Sequence, residues 1–396
     1  MTSSEPALYT REFLRACLMH LTGAMSLSLF LLFPLFVKSL GGSEATIGFL
    51  LGVGAAASVA VRPAVGVLLD RTARRPVLVW LGLANVVSWA PFLFLTGVGP
   101  ALWACTVFHD VVWGALFAAY FTYAADLAPP LRRAEAIAMF GVAGMTANGV
   151  APIIGERVIE AGGYGAYFAL AMALGLGSVG ISLWIPNGPM PVHHEAPPAL
   201  RDTLRLLRRR GLATVMAVTA LLGITINAGY IFVAPFTRVV GIARAAPFFG
   251  AYSVTSVVIR LFGRRTLDVL GPHRVSVPGF LAYGSALVGL SALPLAHGDT
   301  ATLVLVLAGI GCGLGHGSLF PVLNALALSR APAGRQGAVV GLHTAAIDAG
   351  AVVGMPLCGM LAQAFGYPVM FATVALACVA GIGLMAMDAR VGRGMG

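Results

Sequence analysis

Charged side chains are scarce in this 396-residue chain: Asp, Glu, Lys and Arg together make up 10% of it. An ordinary soluble domain carries about 25%. Hydrophobic residues reach 58% and the mean hydropathy is +0.89, so a soluble fold would lack the polar surface needed to face water. The composition excludes a soluble protein and predicts an integral membrane one. Cysteines number five (Cys17, Cys105, Cys312, Cys358 and Cys378), all in apolar segments and without metal-ligand spacing; they read as small packing residues. No G-x-x-x-x-G-K-[ST] loop is present, which excludes direct drive by ATP from this chain. No G-x-S-x-G or H-E-x-x-H motif is present either, which argues against an intramembrane enzyme. The first apolar segment is too long, and too poor in a cleavage site, for a signal peptide.

What the chain does have is length of apolar sequence. A helix needs about 20 apolar residues to cross a bilayer. Twelve segments qualify, at 14–38, 45–69, 76–97, 100–126, 134–159, 164–185, 212–238, 245–268, 274–296, 300–328, 336–362 and 367–387. In lipid every backbone hydrogen bond must close within the span, and these runs are too long for barrel strands, so an all-α membrane protein is expected. Fifty glycines suit close helix packing. The net charge of +10 has its explanation in placement rather than in a nucleic-acid partner. Alternate loops hold Arg71, Arg74 and Arg75; Arg132 and Arg133; Arg201 to Arg210; Arg264, Arg265 and Arg274; Arg330 and Arg335; and Arg390 and Arg393. The other loops offer only Lys38, Arg157, Arg238 and Arg244. Positive charge marks the inner side, so both termini are expected in the cytoplasm, in a cell inner membrane.

Between segments six and seven the texture breaks. Pro186 to Gly211 is proline-rich, contains His193-His194-Glu195 and ends in an arginine run; it reads as a cytoplasmic linker drawn to anionic lipid. The two histidines beside one glutamate read as solvated rather than as a metal site. The predicted organisation is a six-helix bundle over 1–186, a linker over 187–211 and a second six-helix bundle over 212–396.

The halves repeat. Arg62, seven residues and Asp70 recur as Arg260, seven residues and Asp268, exactly half a chain later in number. Phe33-Pro34 matches Ala234-Pro235, Asp126-Leu-Ala-Pro129 matches Ser329-Arg-Ala-Pro332, and Ala151-Pro152 matches Met355-Pro356. Six spans per half make the repeats parallel, related by an axis along the membrane normal, an arrangement that points to a two-lobed transporter.

The stretch Gly66-Val-Leu-Leu-Asp70-Arg71-Thr-Ala-Arg74-Arg75 concentrates charge in a chain that otherwise has little. With its position between segments two and three, it resembles the signature hairpin of the major facilitator superfamily, roughly G-x-L-a-D-r-x-G-r-R, with Ala73 in place of the usual glycine. The resemblance covers the whole length. A second family pattern, the G-x-x-x-G-P-x-x-G-G of antiporters, is matched by Pro152 and Gly155 but not by Ala147, Ala151 and Glu156. The chain is similar to bacterial efflux permeases of the arabinose-efflux and drug:proton antiporter kind. It lacks the arginine that many proton-coupled members carry on segment four and has His109-Asp110 there instead.

The resemblance implies a gating role for Gly66, Asp70, Arg71, Arg74 and Arg75, with the aspartate facing the start of segment eleven when the inner side is closed. A carboxylate suits a helix N-terminus, where unpaired N–H groups carry about half a positive charge. The arginines also serve topology. Arg62 lies eight residues before Asp70, roughly 12 Å into the membrane, and Asp126 or nearby carbonyls are its expected partners. Membrane-embedded ionisable groups are the transport candidates, because an unpaired charge in lipid is costly. Asp110 and Asp348, with His109 and His343, are the expected proton-coupling residues. Trp113, Asn148, Asn227, Tyr230, His316 and Asn324 are the expected substrate-binding residues, with Ser26 and Ser28 also near the cavity that the family implies. His20 and His316 have an alternative role as interhelical hydrogen-bonding groups.

The expected function is secondary active transport: proton-coupled export of a small organic molecule by alternating access. The alternatives are uptake of a small nutrient by symport or uniport, and export of a metal or metal chelate. The partners expected are a small-molecule substrate, protons and membrane lipid, without nucleic acid, cofactor or resident metal, in a monomer.

Overall fold

The computed structural model describes residues 8–129, 132–187, 205–208, 211–263, 269–332 and 335–393. Its described elements are helices: α1 (Arg11–Ser28), α2 (Phe33–Ser39), α3 (Glu44–Arg71), α4 (Arg74–Trp89), α5 (Pro100–Leu127), α6 (Arg133–Ser182), α7 (Leu212–Val239), α8 (Ala246–Phe262), α9 (Pro272–Ser291), α10 (Gly298–Ser329) and α11 (Gln336–Arg393). Short 3₁₀ turns join α1 to α2 and extend α4. Eight continuous helical runs among the described residues are long and apolar enough to cross a membrane, and α8 is a shorter apolar helix. Two of those runs each take in two of the predicted spans. α6 takes in the segments predicted at 134–159 and 164–185, and α11 those at 336–362 and 367–387. In each the break is a single glycine, Gly163 (φ 68°, ψ −170°) and Gly366 (φ 83°, ψ 163°), in a conformation that side-chain-bearing residues avoid. His193, His194, Glu195, Asp268 and much of the arginine-rich linker lie outside the described residues.

Helix starts follow local chemistry. The Thr10 side chain accepts from the Phe13 N–H at 3.2 Å and caps α1. Proline stands in the first positions of α5, α8 and α9, where its missing N–H is harmless. Two helix ends are copies of each other. Leu40, Gly41 and Gly42 donate to Phe36, Lys38 and Val37, as Val240, Gly241 and Ile242 donate to Phe236, Arg238 and Thr237. Both glycines have φ near 80° (83° and 77°), the left-handed residue that such a cap requires.

By packing, the chain divides into two compact units: Met1–Phe33 with Ala57–Glu195, and Pro34–Ala56 with Ala196–Gly396. The division passes through α3. Its first half joins the second unit because Gly48 and Gly52 let it lie directly on α11 at Met355, Pro356 and Gly359. There Tyr367 donates to Glu44 at 3.2 Å, Lys38 pairs with Glu44 at 2.8 Å, and the Ala45 N–H donates to Gln363.

In the first unit the core draws on α1, α3, α4, α5 and α6, with Phe13, Met19, Tyr120, Tyr123 and Phe140 fully buried. Gly23 leaves room for the Tyr120 hydroxyl, which bonds Ser178 at 3.0 Å, and Ser178 donates on to Met19 O. Tyr9, ahead of α1, donates to Glu135 at 2.9 Å; that bond to a carboxylate, and then partial burial, push its pKa up.

In the second unit α10 carries glycine on two sides. A Cβ on Gly309 or Gly313 would stand 2.5 or 2.6 Å from the Phe248 and Tyr252 carbonyl oxygens of α8, and one on Gly317 would stand 3.1 Å from Ile259. Gly311 and Gly315 press on α9 at Ala282 and Tyr283. Asp388 joins three helix ends, bonding Arg330 at 2.9 Å and His273 at 2.9 Å, while Arg330 also donates to Gly211 O.

Candidate functional site

The charged hairpin is the turn from α3 into α4. Thr72 donates to Leu68 O at 2.6 Å and finishes α3. Arg74 opens α4 with its side chain buried, its Nε 2.6 Å from Asp126 Oδ2 and its backbone N–H bonded to Asn187 O. Asp126 thus belongs to Arg74 and not to Arg62. Asp70 and Arg71 are exposed, Arg75 is half-buried, and among the described residues Asp70 makes no ion pair. Gly66 has open space around it.

Arg62 reaches sideways instead. Its guanidinium stands over the Phe117 ring of α5 at 5.6 Å. In the second unit Arg260 stands over Phe320 of α10 at 5.4 Å. The repeat visible in the arginines therefore extends to a cation–π contact in each unit.

On α5, helical spacing places Asp110, Trp113, Phe117 and Phe121 along one stripe, and all four are partly exposed. Trp113 stacks on Phe117 at 5.4 Å and Phe117 meets Phe121 at 4.6 Å. Asp110 crowns the stripe, and its Oδ2 is buried without a hydrogen-bond partner. His109, one residue earlier and about 100° around the helix, points elsewhere. It is fully buried, stacked on Phe30 at 4.2 Å, edge-on to Trp89 at 4.5 Å, and bonded through Nδ1 to Ser88 at 2.9 Å. Adjacent in sequence, the two residues do not share a site. His20 lies in a similar aromatic setting, stacked on Phe140 at 5.0 Å with Tyr120 and Phe121 at its edges. Asn148 accepts from Ser28 at 2.7 Å, and Ser26 takes a bond from Asn85 at 3.0 Å and donates to Ala171 O.

In the second unit His316, Phe320 and Asn324 recur at every fourth residue of α10. His316 Nδ1 bonds the Tyr252 hydroxyl at 2.7 Å, and Tyr230 packs on Tyr252 at 4.5 Å. Phe320 has His316 at 6.1 Å and His343 at 5.2 Å, each edge-on, in addition to Arg260 over its face. His343 is buried and touches Thr219 through Nδ1 at 3.3 Å. Asn324 Oδ1 is buried without a partner. Asn227 spends its amide on Gly223 O of its own helix at 2.8 Å. Asp348 is partly exposed, beside Ile347 and Gly350, where α11 lies backbone to backbone on Ala220 and Gly223 of α7.

The structure thus gathers Asp110 and Trp113 on one surface of the first unit, and His316 and His343 around Phe320 in the second, with Tyr230 beside Tyr252 and His316. Arg260 and Phe320 are additions to the expected set. Their signal in the sequence was the exact repeat of Arg62 and the four-residue spacing from His316.

The fold has many known counterparts. A mutant of the nucleoside transporter NupG matches with a TM-score of 0.81 at 13% identity, covering 96% of this chain and 100% of that one. The peptide transporter POT with sulfate matches at 0.76 and 15% identity, over 97% and 95%. The human organic anion transporter MFSD10 (TETRAN) matches at 0.70 and 17%, over 96% and 100%. In sequence, a Streptomyces lividans protein described as a chloramphenicol resistance protein is 29% identical over 333 residues, 82% of this chain and 81% of its own. Uncharacterized MFS-type transporters of Burkholderia mallei and Burkholderia pseudomallei are 26% identical over 217 residues, 54% of this chain; the match spans about half (50%) of their length. The family model described as Major Facilitator Superfamily matches residues 16–346 and 247–391. With the charged hairpin, the helical membrane fold and a model match along nearly the whole chain in agreement, this protein belongs to the Major Facilitator Superfamily and is a multi-pass membrane transporter rather than an enzyme.

Proposed function

We propose that the chain is a secondary active transporter that exports a small organic molecule in exchange for protons, by alternating access of two six-helix bundles. Both termini face the cytoplasm and the membrane is the cell inner membrane. The observation that carries the reading is Asp110: a carboxylate oxygen buried in the span without a partner, on the partly exposed aromatic stripe of α5. An ionised carboxylate there must be hydrated, paired or neutralised. Protonation is the simplest neutraliser, and a change in hydration during transport changes the proton's affinity. Trp113 and Phe117 beside it offer an apolar surface to an organic solute. The chloramphenicol resistance protein of Streptomyces lividans supports export over uptake. The hairpin Gly66–Arg75 serves as the inner gate, with Arg62 and Asp126 bracing it.

The test uses proteoliposomes with an imposed pH gradient and chloramphenicol as the first solute in a substrate panel. Gradient-driven flux should vanish in Asp110→Asn and fall in Asp348→Asn, while exchange of solute at equal pH persists. Undiminished gradient-driven flux in the double variant defeats proton coupling at these residues.

A further inference from the structure

Arg260 of α8 is a partly exposed cation within an apolar helix. A guanidinium carries five N–H donors and stays charged under all physiological conditions. Among the described residues none of these donors is bonded within the protein: no carboxylate pairs with Arg260 and no hydrogen-bond acceptor meets it. Its Nε is fully enclosed as well as unpartnered. Its guanidinium stands over the face of Phe320. A cation–π contact stabilises by about 0.5–2 kcal/mol and satisfies none of the guanidinium's N–H donors.

The surroundings offer the same sign of complementarity. Phe320 is bordered by the rings of His316 and His343, and His316 is held by the Tyr252 hydroxyl. Two imidazoles and a guanidinium therefore gather around one phenyl ring. Gly313 and Gly317 bring α8 and α10 together at Tyr252 and Thr255 and at Ser256 and Ile259, in the two turns before Arg260 leaves α8. What the arrangement lacks is an anion. A planar fork of N–H donors beside an aromatic wall matches a carboxylate or phosphate attached to an apolar body, because the fork binds two oxygens at once.

We propose that Arg260 and Phe320 form an anion-recognition site for a small organic oxyanion, a carboxylate or phosphate on an apolar body. The idea rests on the transporter reading and names a substrate class for it. Arg260 binds the oxyanion, Phe320 packs on the apolar part, and His316 lines the site one turn along α10. A phospholipid headgroup shares this chemistry and is the second source of such an anion.

The test is binding to the purified full-length protein, read as ligand-dependent thermal stabilisation, with 1-naphthoate and its neutral amide as probes. Naphthoate should stabilise the unmodified protein at concentrations where naphthamide does not. Arg260→Gln should weaken naphthoate at least tenfold, Arg260→Lys less, and Phe320→Leu should weaken it while leaving the preference for the acid. Equal stabilisation by acid and amide, or an unchanged naphthoate titration in Arg260→Gln, overturns the site. Should Arg260→Gln fail to fold, the acid–amide comparison on the unmodified protein decides alone. Nanodiscs of phosphatidylcholine with and without phosphatidylglycerol separate the sources: stabilisation by phosphatidylglycerol that depends on Arg260 and blocks naphthoate assigns the oxyanion to lipid. Because binding is read without a gradient, Arg260-dependent binding with no pH-driven flux would defeat the export reading and leave this site standing.

Discussion

Arg74 Nε lies 2.6 Å from Asp126 Oδ2, and the arginine side chain is 7% exposed against 23% for the aspartate. The pair ties the first turn of α4 to the last turn of α5. Removing one member of a fully buried pair costs about 3–5 kcal/mol, and partial exposure of the aspartate reduces that here to about 2 kcal/mol. Asp126→Asn should therefore lower thermal stability of the detergent-purified protein measurably. Stability within error of the unmodified protein would show that the pair is incidental.

Asp70 should behave in the opposite way. It is exposed and makes no ion pair among the described residues, so Asp70→Asn should change stability by less than about 0.5 kcal/mol. Its expected effect is on cycling between inward and outward access, read by labelling of single cysteines from each side of the membrane. Wild-type flux with unchanged accessibility would remove it from the gate.

His109 is enclosed by Phe30, Trp89 and Ser88. His109→Ala opens a cavity in an aromatic cluster, and losses of about 2–4 kcal/mol follow such truncations. The pH dependence of flux in the surviving protein should stay where it was. A displaced pH profile would instead give the imidazole a part in proton transfer.

Gly163 and Gly366 hold backbone angles close to a region that only glycine occupies readily. Alanine at either position should cost about 1–3 kcal/mol. Gly165→Ala is the control: that glycine is helical with open space around it, and alanine there should be neutral or stabilising by up to about 1 kcal/mol. Equal effects at 163 and 165 would contradict the strain argument.

Much of this was legible in the sequence. The apolar runs located the helices, and the repeated Arg62 and Arg260 marked positions that the structure makes equivalent in contact as well as in number. The partners were not legible. Asp126 is within reach of two arginines along the sequence, and level along α5 decides for Arg74, because Arg62 meets that helix at Phe117. His109 and Asp110 diverge because neighbours on a helix stand about 100° apart. A helix apolar on every side gives no periodic signal of which face meets which neighbour, so α5 and α10 hide their stripes in composition. The breaks at Gly163 and Gly366 were read as loops between segments, because one glycine among fifty carries no mark of its dihedral angles.

The glycines of α10 set against the carbonyls of α8 have a mechanical meaning. Where two backbones touch, no side chain lies between them to change rotamer and absorb a displacement. The two helices then act as a single beam, stiff across its width. Arg260 is mounted on one half of that beam and Phe320 on the other, so their separation should persist whichever side of the membrane is open, and a solute would leave the same grip that it entered.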